Sequence, residues 1–210
     1  MRYFQKALRR AGIDVAYTGG YSPHQIMSFA APLGIGAESN GEYMDIEVRS
    51  LTSPEDVRDR LNRAGVEDIR ITDVRVLSEN AQNAMASVAA AAYTVRFAQG
   101  KAPDTDMKRA VSRLMAADSV LITKEGKKGR REVDIRPGIY ACEWRDDALH
   151  LLTDASSGGN IKPSQVMEAM LSDIGISLEE NALRITREET YADTGAGQTQ
   201  CLVPLGEMGS

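Results

Sequence analysis

The order of strands and helices repeats along this chain, and that order restricts the folds available to it. Between residues 91 and 192, alternating polar and apolar residues and a proline-started helix predict strand, helix, strands, helix and strand. This is the order of a ferredoxin-like (βαββαβ) layer. Residues 1–80 give helix, strand, strand, helix and strand, the same order without its opening strand. The sequence therefore predicts an α+β protein of two tandem ferredoxin-like layers, the first lacking its opening strand.

Local signals place the individual elements. The clearest helix start is Ser53-Pro54, where a capping serine precedes a proline and acidic residues follow. The clearest strand covers residues 42–49, in which polar and apolar side chains alternate. The other expected elements are a first helix ending at Gly12, helices at 104–117 and 163–174, and strands at 26–30, 69–77, 91–98, 120–123, 133–139, 142–144, 149–153 and 182–190.

We expect two domains, residues 1–80 and 91–192, joined by an alanine-rich connector at 81–90 and followed by a loose tail at 193–210. The two halves share the order of their elements and show no residue-level identity. In this topology the opening strand is central, so its loss leaves unpaired backbone groups on its neighbours. We therefore expect one of two arrangements. Either the missing strand lies upstream of Met1, which would make the first unit N-terminally truncated, or another segment takes its place.

The charge balance excludes one class of nucleic-acid-binding protein. The chain has 25 Lys and Arg against 30 Asp and Glu, a net charge of -5, and its pI is near 5.2. A wholly basic nucleic-acid-binding domain has a pI above ~9. A polyanion must therefore meet a local basic patch.

Membrane, disulfide and metal chemistry have little support in the composition. The longest run of small apolar residues, 88–93, is far shorter than the ~20 residues that span a bilayer. Two distant cysteines, Cys142 and Cys201, favour a reducing compartment, and the histidines His24 and His150 stand in no zinc-binding spacing. We expect a cytoplasmic protein with no membrane contact, no metal and no cofactor.

Residues 124–131 form a local basic patch between two expected strands, with five basic residues and one acid. Glycine-spaced basic loops can reach a phosphate backbone, and a solvated hairpin tip is the alternative interpretation. No aromatic residue is interleaved, so stacking of single-stranded bases is not indicated. The candidate polyanion-binding residues are Lys127, Lys128, Arg130 and Arg131.

The sharpest local feature is the turn at residues 19–24, Gly-Gly-Tyr-Ser-Pro-His. Glycines allow close backbone approach to a ligand, proline fixes the corner, and histidine titrates near neutral pH. Together with the arginines that end the first helix, this turn is a candidate phosphate or substrate contact; the alternative is a rigid turn with a hydrogen-bonded histidine. Arg136 can pair with a carboxylate or phosphate, or bond within the sheet. The candidate substrate- or partner-binding residues are Arg9, Arg10, Gly19, Gly20, Tyr21, Pro23, His24 and Arg136.

Three regions of the sequence carry a family resemblance: residues 1–12, residues 19–47 through the segments 19–30, 32–34 and 41–47, and residues 132–137. Together they resemble the bacterial radical-SAM-linked protein family, a domain of unknown function found alone or fused behind a radical SAM module. Members of that family typically begin with a further strand and a Ser/Gly-His-Leu-Asp segment just before the equivalent of Arg2-Tyr3-Phe4. This sequence shows neither, which agrees with the expected missing strand.

The resemblance implies a connection to radical SAM chemistry and, in related genomes, a neighbourhood of ribosome and ribonuclease genes; it supplies no reaction. A radical SAM enzyme needs three cysteines to hold its iron–sulfur cluster, and this sequence has two distant ones. We therefore expect a noncatalytic accessory module that binds a radical SAM protein in trans or presents its substrate. The alternative is an RNA-binding module linked to ribosome or tRNA processing, using Arg9, Arg10 and residues 127–131. An enzyme with His24 as acid or base ranks third, because no second catalytic group accompanies that histidine.

Overall fold

The computed structural model describes residues 1–126, 129–196 and 199–208. Two candidate polyanion-binding residues, Lys127 and Lys128, lie outside the described residues. The helices are α1 (Arg2–Arg10), α2 (Pro54–Ala64), α3 (Ala84–Ser87), α4 (Met107–Ala116) and α5 (Pro163–Ser172). The strands are β1 (Met27–Phe29), β2 (Ala37–Ser39), β3 (Met44–Ile46), β4 (Val88–Phe97), β5 (Leu121–Gly126), β6 (Gly129–Asp134), β7 (Ile139–Arg145), β8 (Ala148–Asp154), β9 (Leu183–Asp193) and β10 (Leu202–Pro204).

The chain divides into two compact units, each of which includes distant parts of the sequence. The first unit contains Met1–Ala30, Tyr43–Met85 and the residues from Gly206 on. The second contains Ala31–Glu42 and Ala86–Leu205. The sequence prediction assigned residues 31–42 to the first domain, whereas the structure groups them with the second unit.

The first unit is built around apolar side chains from α1, α2 and the extended segment between α1 and β1. Leu8 on α1, Val57 and Leu61 on α2, and the extended residues Ile13 and Val15 are buried together. Full burial of each such side chain contributes ~1.5–3 kcal/mol. β1 pairs antiparallel with β3, and isolated bridges add further antiparallel links.

Helix α2 begins where the sequence predicts. The Ser53 hydroxyl accepts a hydrogen bond from the backbone N–H of Asp56 at 3.1 Å, and Pro54 takes the first helical position. Both features satisfy or remove backbone donors that a helix start leaves unpaired. Val57 and Leu61, four residues apart, lie on one face of the helix and fill the core.

The strand expected at residues 69–77 does not form, and this expectation is corrected. Instead, the Asn62 side chain of α2 accepts from the backbone N–H of Ile71 and donates to the Ile71 carbonyl, each at 2.8 Å. The carboxylate of Asp73 accepts a hydrogen bond from the backbone N–H of Val74. These local side-chain bonds compete with strand pairing for the backbone of this segment.

The second unit contains a mixed sheet in the order β10-β9-β4-β8-β7, and β2 pairs parallel with β9. The β4–β8, β4–β9 and β7–β8 pairs are antiparallel. β4, α4, β7, β8, α5 and β9 follow one another as strand, helix, strand, strand, helix and strand, with the separate ribbon β5–β6 inserted after α4. The core that α4 and α5 form with the sheet includes Val95, Val111, Leu149, Met167 and Met170.

The α+β character predicted from the sequence is confirmed by these helices and the mixed sheet. The tandem ferredoxin-like layout is not confirmed. In the described part of the first unit, β1 and β3 form a two-stranded sheet, and no strand follows α2 before α3. No helix in the described ranges has the length and apolar character needed to cross a membrane.

The segment 31–42 follows β9 closely, and Gly41 explains how. A Cβ at position 41 would lie 2.8 Å from the Glu188 carbonyl oxygen and 2.8 Å from the Glu189 Cα. The Thr190 hydroxyl donates to the Gly41 carbonyl at 3.3 Å. Because backbone occupies the space that a side chain would need, only glycine fits at position 41 without displacing β9.

Arg187 ties down both ends of the same segment. Its side chain is 8% exposed, and it donates to the Ala31 carbonyl at 2.6 Å and to the Glu42 carboxylate at 2.7 Å. Its guanidinium lies 5.8 Å from the centre of the Tyr93 ring. A buried arginine is tolerated only with such partners, so Arg187 links residues 31 and 42 to the sheet.

Part of the expected loose tail forms regular structure. β10 pairs antiparallel with the end of β9. The Asp193 carboxylate accepts hydrogen bonds from the backbone N–H groups of Cys201 and Gly195, each at 2.9 Å. These bonds hold the pKa of Asp193 below its ordinary value.

Candidate functional site

The C-terminal ends of α1 and α2 exchange arginine side chains. Arg10 on α1 donates to the carbonyl of Ala64, the last residue of α2, at 2.8 Å. Arg60 on α2 donates to the carbonyl of Ala11 at 2.8 Å and also to the carbonyl of Gly12. At the C-terminal end of each helix, at least one backbone carbonyl therefore accepts from a cation of the other helix, as the helix dipole favours.

Two further arginines stand beside this exchange without a counter-charge. Arg9 is exposed and donates through Nε to the Gln5 carbonyl at 3.3 Å. Arg63 is exposed, and within the described residues its side chain has no hydrogen bond or ion pair. We call Arg9, Arg10, Arg60 and Arg63 the α1–α2 basic surface; a shallow depression there is lined by Arg10, Ala11, Arg60, Arg63 and Ala64.

The charge of the α1–α2 basic surface is partly compensated. Arg60 also pairs with Asp56 at 3.1 Å, one turn earlier on α2. The other three arginines have no acidic partner in the part of the chain that the structure describes. Guanidinium groups with free donors match the oxygens of phosphates and carboxylates, so this surface can bind an anion.

Sequence reasoning found Arg9 and Arg10 and missed Arg60 and Arg63. The signal was the Arg-x-x-Arg spacing at the end of α2, which places both side chains on one helix face. That spacing alone is typical of a solvated face. Only the packing of α2 beside α1 brings the four arginines together.

The turn at residues 18–24 gathers the other candidates of the first unit. Its ends are joined by two hydrogen bonds, one from the Thr18 backbone N–H to the His24 carbonyl at 2.9 Å and one from the His24 N–H to the Thr18 hydroxyl at 3.1 Å. Gly20 has φ +97°, a conformation that favours glycine. Tyr21 is fully exposed at the turn. Gly19, Gly20, Tyr21, Pro23 and His24 thus belong to one closed turn that presents an aromatic side chain to solvent.

The imidazole of His24 is exposed, and no side chain in the described ranges hydrogen bonds to it. The hydrogen bonds of this residue are made by its backbone. The expectation of a rigid turn therefore fits the backbone geometry, while the imidazole itself is free to meet a partner. Which of these roles the histidine serves stays a prediction.

Arg136 lies in the second unit and bonds to backbone carbonyls. Its guanidinium donates to the Met115 carbonyl at 2.9 Å and to the Ile139 carbonyl at 3.1 Å. Asp134 accepts from the backbone N–H groups of Val120 and Arg136, and these bonds lower the pKa of Asp134. This geometry favours a role for Arg136 in joining α4 to β7.

The β5–β6 ribbon carries the described part of the basic patch. Arg130 pairs with Glu125 at 2.7 Å, and both side chains are largely exposed. Lys124 donates to the carbonyls of Gly159 and Asn160, so its charge faces that loop. Arg131 is exposed without a hydrogen bond or ion pair among the described residues.

Other chemistry has little geometric support in the part of the chain that is described. There, no group of three or more His, Cys, Asp or Glu side chains is arranged to hold a metal ion. Burial raises the pKa of the Cys142 thiol to about 12, so this thiol stays protonated at neutral pH and is a poor nucleophile.

A family model described as uncharacterized protein conserved in bacteria (DUF2344) matches residues 1–163. The matched range includes the α1–α2 basic surface, the turn at residues 18–24 and the β5–β6 ribbon. A search of the curated proteins gave no match.

Proposed function

The chain belongs to the bacterial family DUF2344, and we propose that it is a binding module that acts with a radical SAM protein in trans. Contact is made through the turn at residues 18–24. A radical SAM protein as the partner is supported by the resemblance of residues 1–12, 19–47 and 132–137 to the radical-SAM-linked proteins. The turn as the contact surface is supported by its geometry.

The observation that carries this proposal is the full exposure of Tyr21. An aromatic side chain left fully in solvent gains nothing from burial in the fold. Tyrosine supplies much contact area at a small entropic cost, and tyrosines are frequent hot spots of protein interfaces. Because the hydrogen bonds between Thr18 and His24 fix the ends of the turn, little further ordering is needed on binding.

The experiment is affinity capture of the full chain from lysate of the native host at high salt, followed by mass spectrometry. The expected result is enrichment of a protein that carries a three-cysteine radical SAM motif. Tyr21→Ala should weaken that interaction by ~30-fold or more, the effect of removing a hot-spot side chain. Ile35→Ala, which removes another fully exposed apolar side chain, is the matched control and should leave it unchanged.

Two results would overturn this proposal. One is the absence of any radical SAM protein among the enriched proteins. The other is equal enrichment by the wild type and Tyr21→Ala.

A second candidate function is RNA binding, which the α1–α2 basic surface supports. Arg9 and Arg63 expose cations with no acidic partner in the described ranges, on a chain whose net charge is -5. On an acidic protein, a local cluster of cations can still bind a nucleic acid, because each contact between an arginine and a phosphate adds affinity.

Fluorescence anisotropy with a single-stranded RNA oligonucleotide at graded salt tests this second function. Arg9→Gln combined with Arg63→Gln should reduce the slope of log affinity against log salt by about 0.7 for each RNA phosphate that the variant no longer neutralises. Arg58→Gln is the matched control, since Arg58 lies on α2 and pairs with Asp59 at 2.9 Å. Lys127→Ala with Arg130→Ala tests the ribbon separately. An unchanged slope in the Arg9 and Arg63 variant would exclude the α1–α2 basic surface.

A further inference from the structure

The sheet of the second unit has a polar face opposite α4 and α5. Val95, Leu149 and Ile185 lie on the helix side, in or against the core. Since side chains alternate across a strand, the neighbouring residues lie on the other face. We define the polar face by the side chains of Thr94, Arg96, Glu143, Arg145, His150 and Arg184.

Two arginines are direct cross-strand neighbours on the polar face. Arg96 on β4 pairs in register with Arg184 on β9, and such neighbours have Cβ atoms ~4.5–5.5 Å apart. Both side chains are exposed, and within the described residues neither has a hydrogen bond or ion pair. Like charges directly opposite destabilise a sheet. This pair is therefore unfavourable for folding, and an anion between the two guanidinium groups would relieve the repulsion.

Two acids lie on the sheet near this pair, and each has other partners as well. Glu188 accepts a hydrogen bond from the Asn40 amide at 2.8 Å. Its pKa is lowered by hydrogen bonds from Thr94 and Asn40, with a smaller contribution from the charge of Arg96. Glu143 pairs with Arg145 at 3.3 Å. The charge of Glu188 therefore offsets part of the charge of Arg96, whereas Arg184 has no acidic partner among the described residues.

A histidine next to the pair has an unpaired polar atom. His150 on β8 lies directly opposite Thr94 on β4. Thr94 precedes Arg96 by two residues on that strand. The His150 Nδ1 is 3.5 Å from the Thr94 hydroxyl and 3.5 Å from Arg145 Nη2. Its Nε2 is buried and has no hydrogen-bond partner in the described ranges. The imidazole is therefore a polar neighbour of Arg96, and its buried Nε2 is not open to a ligand from solvent.

We propose that Arg96 and Arg184 bind a phosphate group on the polar face. Guanidinium groups bind phosphate oxygens with paired, charge-assisted hydrogen bonds. A phosphate between the two side chains converts a repulsive pair into a bridged one. This inference goes beyond the proposed function, because it concerns the second unit and is independent of Tyr21 and of the α1–α2 basic surface.

The test is a double-mutant cycle at positions 96 and 184, measured by thermal unfolding of the full chain. Wild type, Arg96→Gln, Arg184→Gln and the double variant are compared in sodium chloride and in sodium phosphate at matched ionic strength and pH. Phosphate stabilises proteins in general by exclusion from their surface. Arg109→Gln, which removes an exposed arginine on α4 of the same unit, measures that general effect.

In chloride, each single variant should unfold at the wild-type temperature or above it, because repulsion is relieved. In phosphate, wild type and Arg109→Gln should gain stability that the variants at 96 and 184 lack, with phosphate affinity about tenfold weaker in either single variant. The proposal would be overturned if phosphate stabilised all variants equally or stabilised none of them, and if RNA binding in the arm below were also the same in all variants.

A second arm distinguishes the sources of the phosphate group. Saturable binding of inorganic phosphate that depends on Arg96 and Arg184 indicates a small phosphate ligand. Binding only of a single-stranded RNA oligonucleotide, dependent on the same two residues and weakened by salt, indicates a polynucleotide backbone. Both results support the site, and neither depends on capture of a radical SAM protein.

Discussion

Arg187 in the second unit and Arg63 in the first show how differently this chain uses one type of side chain. Arg187 is buried and bonded to Ala31 and Glu42, so its charge serves to join a segment to the sheet. Arg63 is exposed and has no partner in the described part of the chain. The role of an arginine therefore follows from its burial and its partners, which spacing in the sequence does not reveal.

The same contrast separates four further arginines. Arg136 donates to two backbone carbonyls and belongs with Arg187. Arg9, Arg96 and Arg184 are exposed and lack an ion-pair partner among the described residues, so they belong with Arg63. The first group is expected to control stability and the second group to control binding.

The largest effect is expected at Arg187. Arg187→Ala should lower the free energy of unfolding by ~3 kcal/mol, because it removes the buried hydrogen bonds to the Ala31 carbonyl and to the Glu42 carboxylate, which is left without its cation. Urea denaturation followed by circular dichroism measures this loss. Adding Glu42→Gln should recover part of it, since the unpaired charge is then removed. A loss below ~1 kcal/mol in the single variant would place Arg187 with the exposed arginines.

A smaller loss is expected at Arg136. Arg136→Ala removes hydrogen bonds to the carbonyls of Met115 and Ile139, and the free energy of unfolding should fall by ~2 kcal/mol. Arg136→Lys should restore less than the full amount, because an ammonium group cannot reproduce the planar fork. If Arg136→Ala kept wild-type stability while its anion binding disappeared, Arg136 would instead be a binding residue.

A pH-dependent effect is expected at Asp134, which stands beside Arg136. Hydrogen bonds from Val120 and Arg136 lower its pKa from the ordinary value of 3.8. The ionised carboxylate therefore adds stability above that value, and this stability is lost as the pH falls through the lowered pKa. The melting temperature of wild type should consequently fall more steeply than that of Asp134→Asn between about pH 5 and pH 2. Parallel curves would contradict the assignment.

The smallest effect on stability is expected at Arg63. Arg63→Gln should change the free energy of unfolding by less than ~0.5 kcal/mol, as for other exposed positions without partners. The same urea measurement checks this. A loss of about 2 kcal/mol or more would mean that Arg63 supports the fold, and the contrast with Arg187 would disappear.

Local signals in the sequence predicted several elements well. Ser53-Pro54 and Pro163 start α2 and α5 where expected, because capping and proline act over a few residues. The strand expected at 69–77 does not form, since the Asn62 side chain takes the backbone groups of Ile71. Its alternating pattern could not show that competition.

Contacts between residues far apart in the chain could not be predicted from the sequence. The parallel pairing of β2 with β9 joins residues about 150 positions apart, and no local pattern records it. For the same reason Arg9 and Arg10 were identified as candidates but Arg60 and Arg63 were not, because only helix packing brings the four together. Arg96 and Arg184 became neighbours through strand register, which is likewise a property of the fold.

The most direct test of this division of arginines is an NMR measurement of the side-chain Nε–Hε signals of the full chain, with and without RNA and inorganic phosphate. We expect the signals of Arg136 and Arg187 to stay unchanged under all conditions. Ligand shifts should appear at Arg9 and Arg63 with RNA, and at Arg96 and Arg184 with phosphate or RNA. Shifts at Arg136 or Arg187 with none at the exposed arginines would contradict the division.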